Sequence, residues 1–266
     1  MSDNRKGYKG FGPGLVCRGK QYAENTVFEE PNAEICQSGM HYCTNPLDVL
    51  DYYPLIGDNG ELNEFAEVEA LDEPKTDDQK KYCTTRLKIG AKLTIPKLAE
   101  ISGEYLRETI KEEAGKGSSR QVGGNYAKQV GGYSAQQVGG YSAKQVGGDS
   151  AQQVGGDSAK QVGGNYAKQV GGNYAKQVGG YSAKQVGGDS AKQVGGNYAK
   201  QVGGGNSVMM AGEGSVFKAG LYSVILRYWY GDNGNIAGFK AVQVDGEQIK
   251  ADTWYKLENG EFVEVQ

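Results

Sequence analysis

Gly123-Gly124-Asn125-Tyr126-Ala127-Lys128-Gln129-Val130 is the first of ten octapeptides that run without a gap to Val202. Their pattern is Gly-Gly-[Asn/Tyr/Asp]-[Tyr/Ser]-Ala-[Lys/Gln]-Gln-Val. The register continues outward: GKGSSRQV precedes the run from Gly115, and GGGNSVMM, AGEGSVFK and AGLYSVIL follow it to Leu226, making fourteen octads. A period that never slips means one structural unit stacked on copies of itself. Eight residues are too few for a helix-turn-helix repeat. Gly-Gly breaks helices and permits positive φ at a tight corner, and the remaining four or five residues can extend. The expected fold class is therefore mainly β, with a central β-solenoid over residues 115–226 and two octads in each coil. Seven coils at about 4.8 Å each would make a rod roughly 34 Å long. Gly-rich polar repeats can also be unstructured linkers. Linkers tolerate slips, however, and here the outer octads turn apolar at fixed positions, as capping coils do.

Strand alternation sets the facing. Side chains at octad positions 5 and 7 share one face, and those at 6 and 8 the other. Position 6 is Lys in eight of the ten copies: Lys128, Lys144, Lys160, Lys168, Lys176, Lys184, Lys192 and Lys200. A column of ammonium groups cannot sit in a narrow core, so position 6 points out. Ala at position 5 and Gln at position 7 then point in, the glutamines stacked as amide ladders. The competing frame, which hydrophobicity favours, buries Val and exposes Gln. In a two-octad coil alternate octads stack, so Lys128, Lys144, Lys160, Lys176 and Lys192 form one column. Gln136, Gln152, Lys168, Lys184 and Lys200 form the other. Such columns solubilise an exposed β surface or accept a polyanion with release of counterions. Tyr126, Tyr133, Tyr141, Tyr166, Tyr174, Tyr181 and Tyr198 fall at positions 3 or 4, near the corners. With the Val column, those rings offer a surface for self-association.

Composition narrows the alternatives. Of 266 residues 43 are Gly and only 6 Pro, without a three-residue period, which excludes collagen. No run of about 20 apolar residues suits a membrane-spanning helix. The start, Met1-Ser2-Asp3-Asn4-Arg5-Lys6, leads into no apolar stretch, so a secretory leader is not expected and a cytoplasmic setting is. Net charge is −7 over residues 1–114, +7 over 115–226 and −3 over 227–266. The basic middle suits an anionic partner or balances the acidic ends.

All four cysteines (Cys17, Cys36, Cys43, Cys83) and the one histidine, His41, lie in the first third. Reduced thiols are the default reading. A zinc site is open, but Cys36-x6-Cys43 is not a common knuckle, so no metal and no cofactor is expected.

Residues 1–95 read as a small α+β domain. Phe65–Ala70 and Leu87–Ile95 alternate as strands. Asn45-Pro46 opens a short helix over Pro46–Tyr53 with an N-cap and a first-turn proline. Residues 96–114 read as a connecting helix, with Leu98, Ile101, Tyr105 and Ile110 on one side, able to cover the first coil's edge. Residues 227–266 read as a cap of two hairpins turning at Asp245-Gly246 and Asn259-Gly260. Its strands are expected at Ile236–Val244, Glu247–Lys250, Thr253–Leu257 and Glu261–Val265.

The octad resembles half of the 16-residue repeat of bacterial ice-nucleation proteins. That resemblance implies a solenoid with a tyrosine edge. It does not extend to ice binding, because Lys-Gln-Val stands where outward Thr-x-Thr rows would be. The N-terminal stretch Gly7-Tyr8-Lys9-Gly10-Phe11, Cys17-Arg18-Gly19, Gly39-Met40-His41-Tyr42-Cys43 and Pro46–Tyr53 resembles an uncharacterised family encoded by bacteriophages and prophages. That likeness implies a phage protein in a host cytoplasm and brings no catalytic residues with it.

No Walker loop, G-x-S-x-G or H-E-x-x-H is present. Tyr8-Lys9-Gly10, Gly39-x-His41, Tyr52-Tyr53 and Glu67 or Glu69 loosely resemble an ADP-ribosyltransferase layout, which would make NAD⁺ the substrate. The plainer reading makes His41 a satisfied histidine, the tyrosines core and the glutamates solvated. The function expected is a non-enzymatic, phage-encoded scaffold that binds itself or a host protein, with inhibition of a host defence one natural role. Nucleic-acid binding by the Lys column is the alternative.

Overall fold

The computed structural model describes residues 5–57, 59–78, 80–95, 97–98, 100–102, 104–105, 120–232 and 236–265. The chain forms two compact units, Met1–Tyr105 and Leu106–Gln266.

The first unit is built on one sheet. Its strands are β1 (Lys6–Phe11), β4 (Thr26–Glu29), β5 (Met40–Cys43), β6 (Glu64–Ala70), β7 (Lys81–Thr84) and β8 (Arg86–Leu93), in the order β4-β8-β6-β1-β5-β7. A short ribbon, β2 (Val16–Cys17) with β3 (Lys20–Gln21), hangs beside it. Alternation along β6 and β8 puts Ala66, Val68, Leu87 and Ile89 into one core with Phe11, Tyr22, Met40 and Tyr42. The strand expected at 65–70 is thus present, and the one expected at 87–95 runs over Arg86–Leu93, with Ile95 already in the helix that follows. Pro46–Asp51 is a 3₁₀ turn, and the Asn45 side chain caps it by accepting from the Leu47 N–H at 3.1 Å. Described residues between 95 and 105 are helical, with Leu98, Ile101 and Ser102 buried. The remainder of the 96–114 connector, including Ile110, lies outside the described residues.

The second unit is the solenoid. Each octad from Arg120 to Leu226 supplies one short strand, and strands one coil apart pair in parallel and in register, Lys128 on Lys144 and Gln136 on Gln152. Alternate octads build two facing sheets. The Gln-in frame is the one observed. Gln145, Gln161, Gln177 and Gln185 are fully buried, and so are the position-5 alanines from Ala135 to Ala191. Each interior amide donates to the Gln Oε1 one coil back and to a Val carbonyl nine residues on; for Gln161 the acceptors are Gln145 Oε1 and Val170 O, both at 2.9 Å. A polar core is stable here because each rung inside the ladder satisfies its neighbour.

The corners differ from the expectation in one respect. Among the described residues, no Gly of the pairs between Gly123 and Gly204 has positive φ. Position 4 carries it instead, as in Tyr126 (φ 59°), Ser134 (φ 53°) and Tyr166 (φ 56°). The Ala135 N–H reaches back to the Gly132 carbonyl, closing a turn of type II form. A left-handed residue costs about 1–2 kcal/mol. It is held because the position-4 N–H donates to the next coil, Ser134 N–H to Asp149 O at 2.8 Å. The glycines are needed for space. A Cβ on the first Gly of octads 139–202 would stand 2.3–2.6 Å from the Ala Cβ four residues on. On Gly156 it would stand 3.0 Å from the Gly140 carbonyl carbon of the previous coil.

The cap extends both sheets with antiparallel strands. Ile236–Gln243 pairs with Val224–Tyr230, and Trp254–Glu258 pairs with Val216–Ala219 and then with Glu261–Glu264. Phe217, Ile225, Val244, Tyr255 and Phe262 form its core. Asn259 (φ 49°) and Gly260 (φ 82°) make the expected tight hairpin. The hairpin expected at Asp245-Gly246 is not formed, and Glu247–Lys250 is not a strand. Asp245 Oδ1 instead accepts from the Glu247 and Ile249 N–H groups. This Asx turn carries the chain from one sheet to the other. No helix among the described residues is long and apolar enough to cross a membrane.

Candidate functional site

The solenoid presents two outer faces that the sequence makes nearly identical and the structure makes different. On the eight-stranded sheet Val146, Val162, Val178 and Val194 are buried, and Lys144, Lys160 and Lys176 are half-buried, while Lys192 is buried. Lys128, Lys144, Lys160, Lys176 and Lys192 each make further interactions, so this column is not a row of bare ammonium groups. On the nine-stranded sheet the face is open. Val138, Val154, Val170 and Val186 stand 41–45 % exposed, and Lys168, Lys184 and Lys200 are exposed beside them. Lys200 lies over the Trp254 ring, 4.3 Å from its centroid.

The tyrosines line both corner edges. Tyr166, Tyr181 and Tyr198 follow one another on successive coils, with centroids 5.7 and 5.3 Å apart. Tyr126 and Tyr141 make an edge contact on the other side. Tyr133 is 77 % exposed and Tyr174 64 %. One role was not visible in the sequence. Every Asn or Asp at position 3 of the ten octads accepts, through Oδ1, the N–H of the residue one coil on, as Asp149 does from Asn165 at 2.7 Å. The Asn/Asp/Tyr choice at position 3 therefore decides whether a corner carries this side-chain tie to the next coil.

In the first unit a cavity of about 360 Å³ opens where β1 and β5 part. These strands pair only at Tyr8 and Cys43. Beyond that point Lys9 Nζ bridges the gap to the His41 carbonyl at 3.0 Å. Tyr53 packs on Gly10, where a Cβ would come within 2.5 Å of its own. The cavity gathers Lys9, Gly10, Gly39, His41, Tyr52 and Tyr53, which the sequence had grouped. It does not gather Glu67 or Glu69. Lys9 sits opposite Ala66 in the sheet, whereas Glu67 sits opposite Tyr8, so the two glutamates project from the other face. The acid that an ADP-ribosyltransferase layout needs is not supplied by either.

Burial is the main influence on the titratable groups of this cavity. It pushes the Lys9 ammonium below its ordinary value, partly opposed by Cys17. It also lowers His41, with Lys9, Lys81 and Arg18 adding to the effect. The Tyr22 phenol is pushed up to about 12 by burial and by Cys17. His41 Nε2 accepts the Cys36 N–H at 3.0 Å, so the neutral ring is a satisfied structural group. Cys17 Sγ accepts from the Tyr53 hydroxyl at 3.0 Å, and Cys36 Sγ accepts from Lys81 Nζ at 2.8 Å. Among the described residues no three His, Cys, Asp or Glu side chains converge on a metal position.

Two family comparisons bear on these units. Residues 5–101 match a domain of unknown function (DUF7666), which spans the sheet and its cavity. No curated protein and no solved structure matches the chain. Residues 142–216, inside the solenoid, match the Bacteriophage T4 gp5 C-terminal trimerisation domain.

Proposed function

We propose that this protein is a non-enzymatic structural module that self-associates through the open face of its nine-stranded sheet. The carrying observation is the asymmetry between the two Val columns. One is buried, and the other leaves Val138, Val154, Val170 and Val186 in solvent on a flat, regularly spaced surface. Contiguous exposed apolar rows of this kind mark interaction sites. The likeness of residues 142–216 to a trimerisation domain supports the same reading and favours three copies. The tyrosine edges would flank such a contact and add aromatic area at its rim.

Light scattering on the eluting peak at micromolar concentration is the test. The expected mass is three times the 28.4 kDa chain. Val154→Lys with Val170→Lys, which places charge in the middle of the row, should return it to a monomer. A strict monomer for the unaltered chain would sink the proposal. A polyanion is the second reading, carried by the exposed Lys168, Lys184 and Lys200 on the same face. A gel shift that stays flat at low salt removes it. Inhibition of a host defence would require a host protein on that face; capture from host cells that the double variant loses is its signature.

A further inference from the structure

Lys9 is 5 % exposed, and its recorded acceptors are the His41 carbonyl and the Cys17 thiol; no carboxylate among the described residues faces it. Burying an ammonium group without a counter-charge costs several kcal/mol. A fold keeps such a group when something outside the chain completes it, or when a neighbouring site draws on its charge. The surroundings deepen the imbalance. Arg18, Lys20 and Lys81 line the same cavity, and Glu30 is the one carboxylate among its described lining residues. Glu30 is already taken by Lys20. Lys9 and Arg18 have no carboxylate in this lining, and Lys81, which donates to Cys36 and has Asp78 near it, adds a third cation, in a region whose net charge is −7. Cations are therefore concentrated at one concavity of an otherwise acidic domain, which focuses positive potential there.

The walls carry a second message. Lys81 Nζ stands 4.8 Å from the centroid of the Tyr52 ring, and the Tyr53 ring packs across Gly10 at the same opening. A few convergent charges set among aromatic surfaces in a cavity of about 360 Å³ is the usual composition of a small-molecule site.

We propose that this cavity binds a small organic anion, its phosphate or carboxylate held by Lys9, Arg18 and Lys81 and its flat apolar part against Tyr52 and Tyr53. The assignment is independent of the self-association of the solenoid. It names a binding site and no reaction.

Calorimetric titration of the full chain with phenyl phosphate, benzoate and phenol is the test. Saturable binding of phenyl phosphate or benzoate is expected, whichever is tighter naming the head group, with phenol at least tenfold weaker. Lys9→Met keeps the stem and removes the charge; it should weaken the anion at least tenfold and leave the melting temperature equal or higher. If Lys9→Met fails to fold, Arg18→Gln with Lys81→Gln should show the same loss from the rim. The proposal is overturned if neither anion binds the unaltered chain saturably, if phenol binds as tightly, or if the charge-removing variants bind unchanged.

Discussion

The amide ladders give the most exacting test of how the solenoid is held together. Gln161 makes three hydrogen bonds: it donates to Gln145 Oε1 and Val170 O and accepts from Gln177 Nε2 at 2.8 Å. Gln161→Met fills the space without the polar atoms. It orphans Gln145 Oε1 and leaves one Gln177 N–H unpaired, although Gln177 keeps its bond to Val186 O. Gln193 is the same residue at the end of the same ladder, where Met209 follows it and its Oε1 already has no donor. Gln193→Met loses its two donated bonds but only moves the orphan back to Gln177 Oε1. The gain in apolar burial is alike in the two cases. The interior variant therefore carries one extra unsatisfied acceptor and one extra unsatisfied donor, about 2–6 kcal/mol in all. Urea unfolding followed by far-ultraviolet circular dichroism reads this as a lower midpoint for Gln161→Met. Equal midpoints, or a lower one for Gln193→Met, would mean that amide satisfaction does not hold the rungs.

Other consequences are as specific. Gly155→Ala forces a Cβ to 2.4 Å from that of Ala159 and should lower the melting temperature steeply. Ser158→Gly relieves a left-handed residue at φ 59° and should leave it equal or higher, since about 1–2 kcal/mol of strain offsets the entropy cost of glycine. His41 has a folded pKa lowered by burial and by Lys9, Lys81 and Arg18, so the unfolded chain binds its proton first. Stability of the first unit should then fall as pH drops from about 6.5 toward the folded value, and His41→Gln should remove that slope in pH-dependent unfolding. Nitrogen NMR of the one imidazole should find Nε2 unprotonated at neutral pH, as its bond from Cys36 requires.

The period of the repeat and the exclusion of lysine from a narrow core were enough to read the solenoid, its two-octad coil and its inward glutamines. Asn259-Gly260 was equally legible, because positive φ at two successive residues leaves one tight turn. Three features were not. The positive φ of the corners fell on Tyr and Ser because the glycines are reserved for close approach, a distinction that composition does not carry. Asp245-Gly246 has the letters of a hairpin, but its carboxylate satisfies two N–H groups of a crossing loop. Of the cavity's lining, Lys9, His41, Tyr52 and Tyr53 were grouped from sequence, but Arg18 and Lys81 were not, because no local pattern brings them to Lys9 where β1 and β5 part. The difference between the two Val columns was scarcely legible. One reads Lys-Gln-Val throughout and the other carries Gln136 and Gln152 in place of two lysines, which does not tell which valines are buried.

The ends of the ladders explain why the solenoid changes chemistry before it stops. A stacked Gln satisfies its Oε1 only from the next Gln, so any finite ladder leaves an oxygen unpaired at its last rung. Two such atoms remain here, Gln193 Oε1 and Gln201 Oε1, one on each sheet. Immediately after them position 7 becomes Met209, Phe217 and Ile225, and position 5 becomes Ser207, Ser215 and Ser223. The serines preserve the inter-coil bonding, with Ser215 Oγ accepting the Ala199 N–H and donating to Gly196 O. The apolar trio gives the antiparallel cap a surface on which Val244, Tyr255 and Phe262 pack. A polar core can repeat without limit but cannot close, whereas an apolar core can close without matching its neighbour's hydrogen bonds. Placing the switch two octads before the last rung confines the unmet oxygens to one level. It also lets the added strands cover both sheet edges, so this end of the stack cannot grow by adding a further coil.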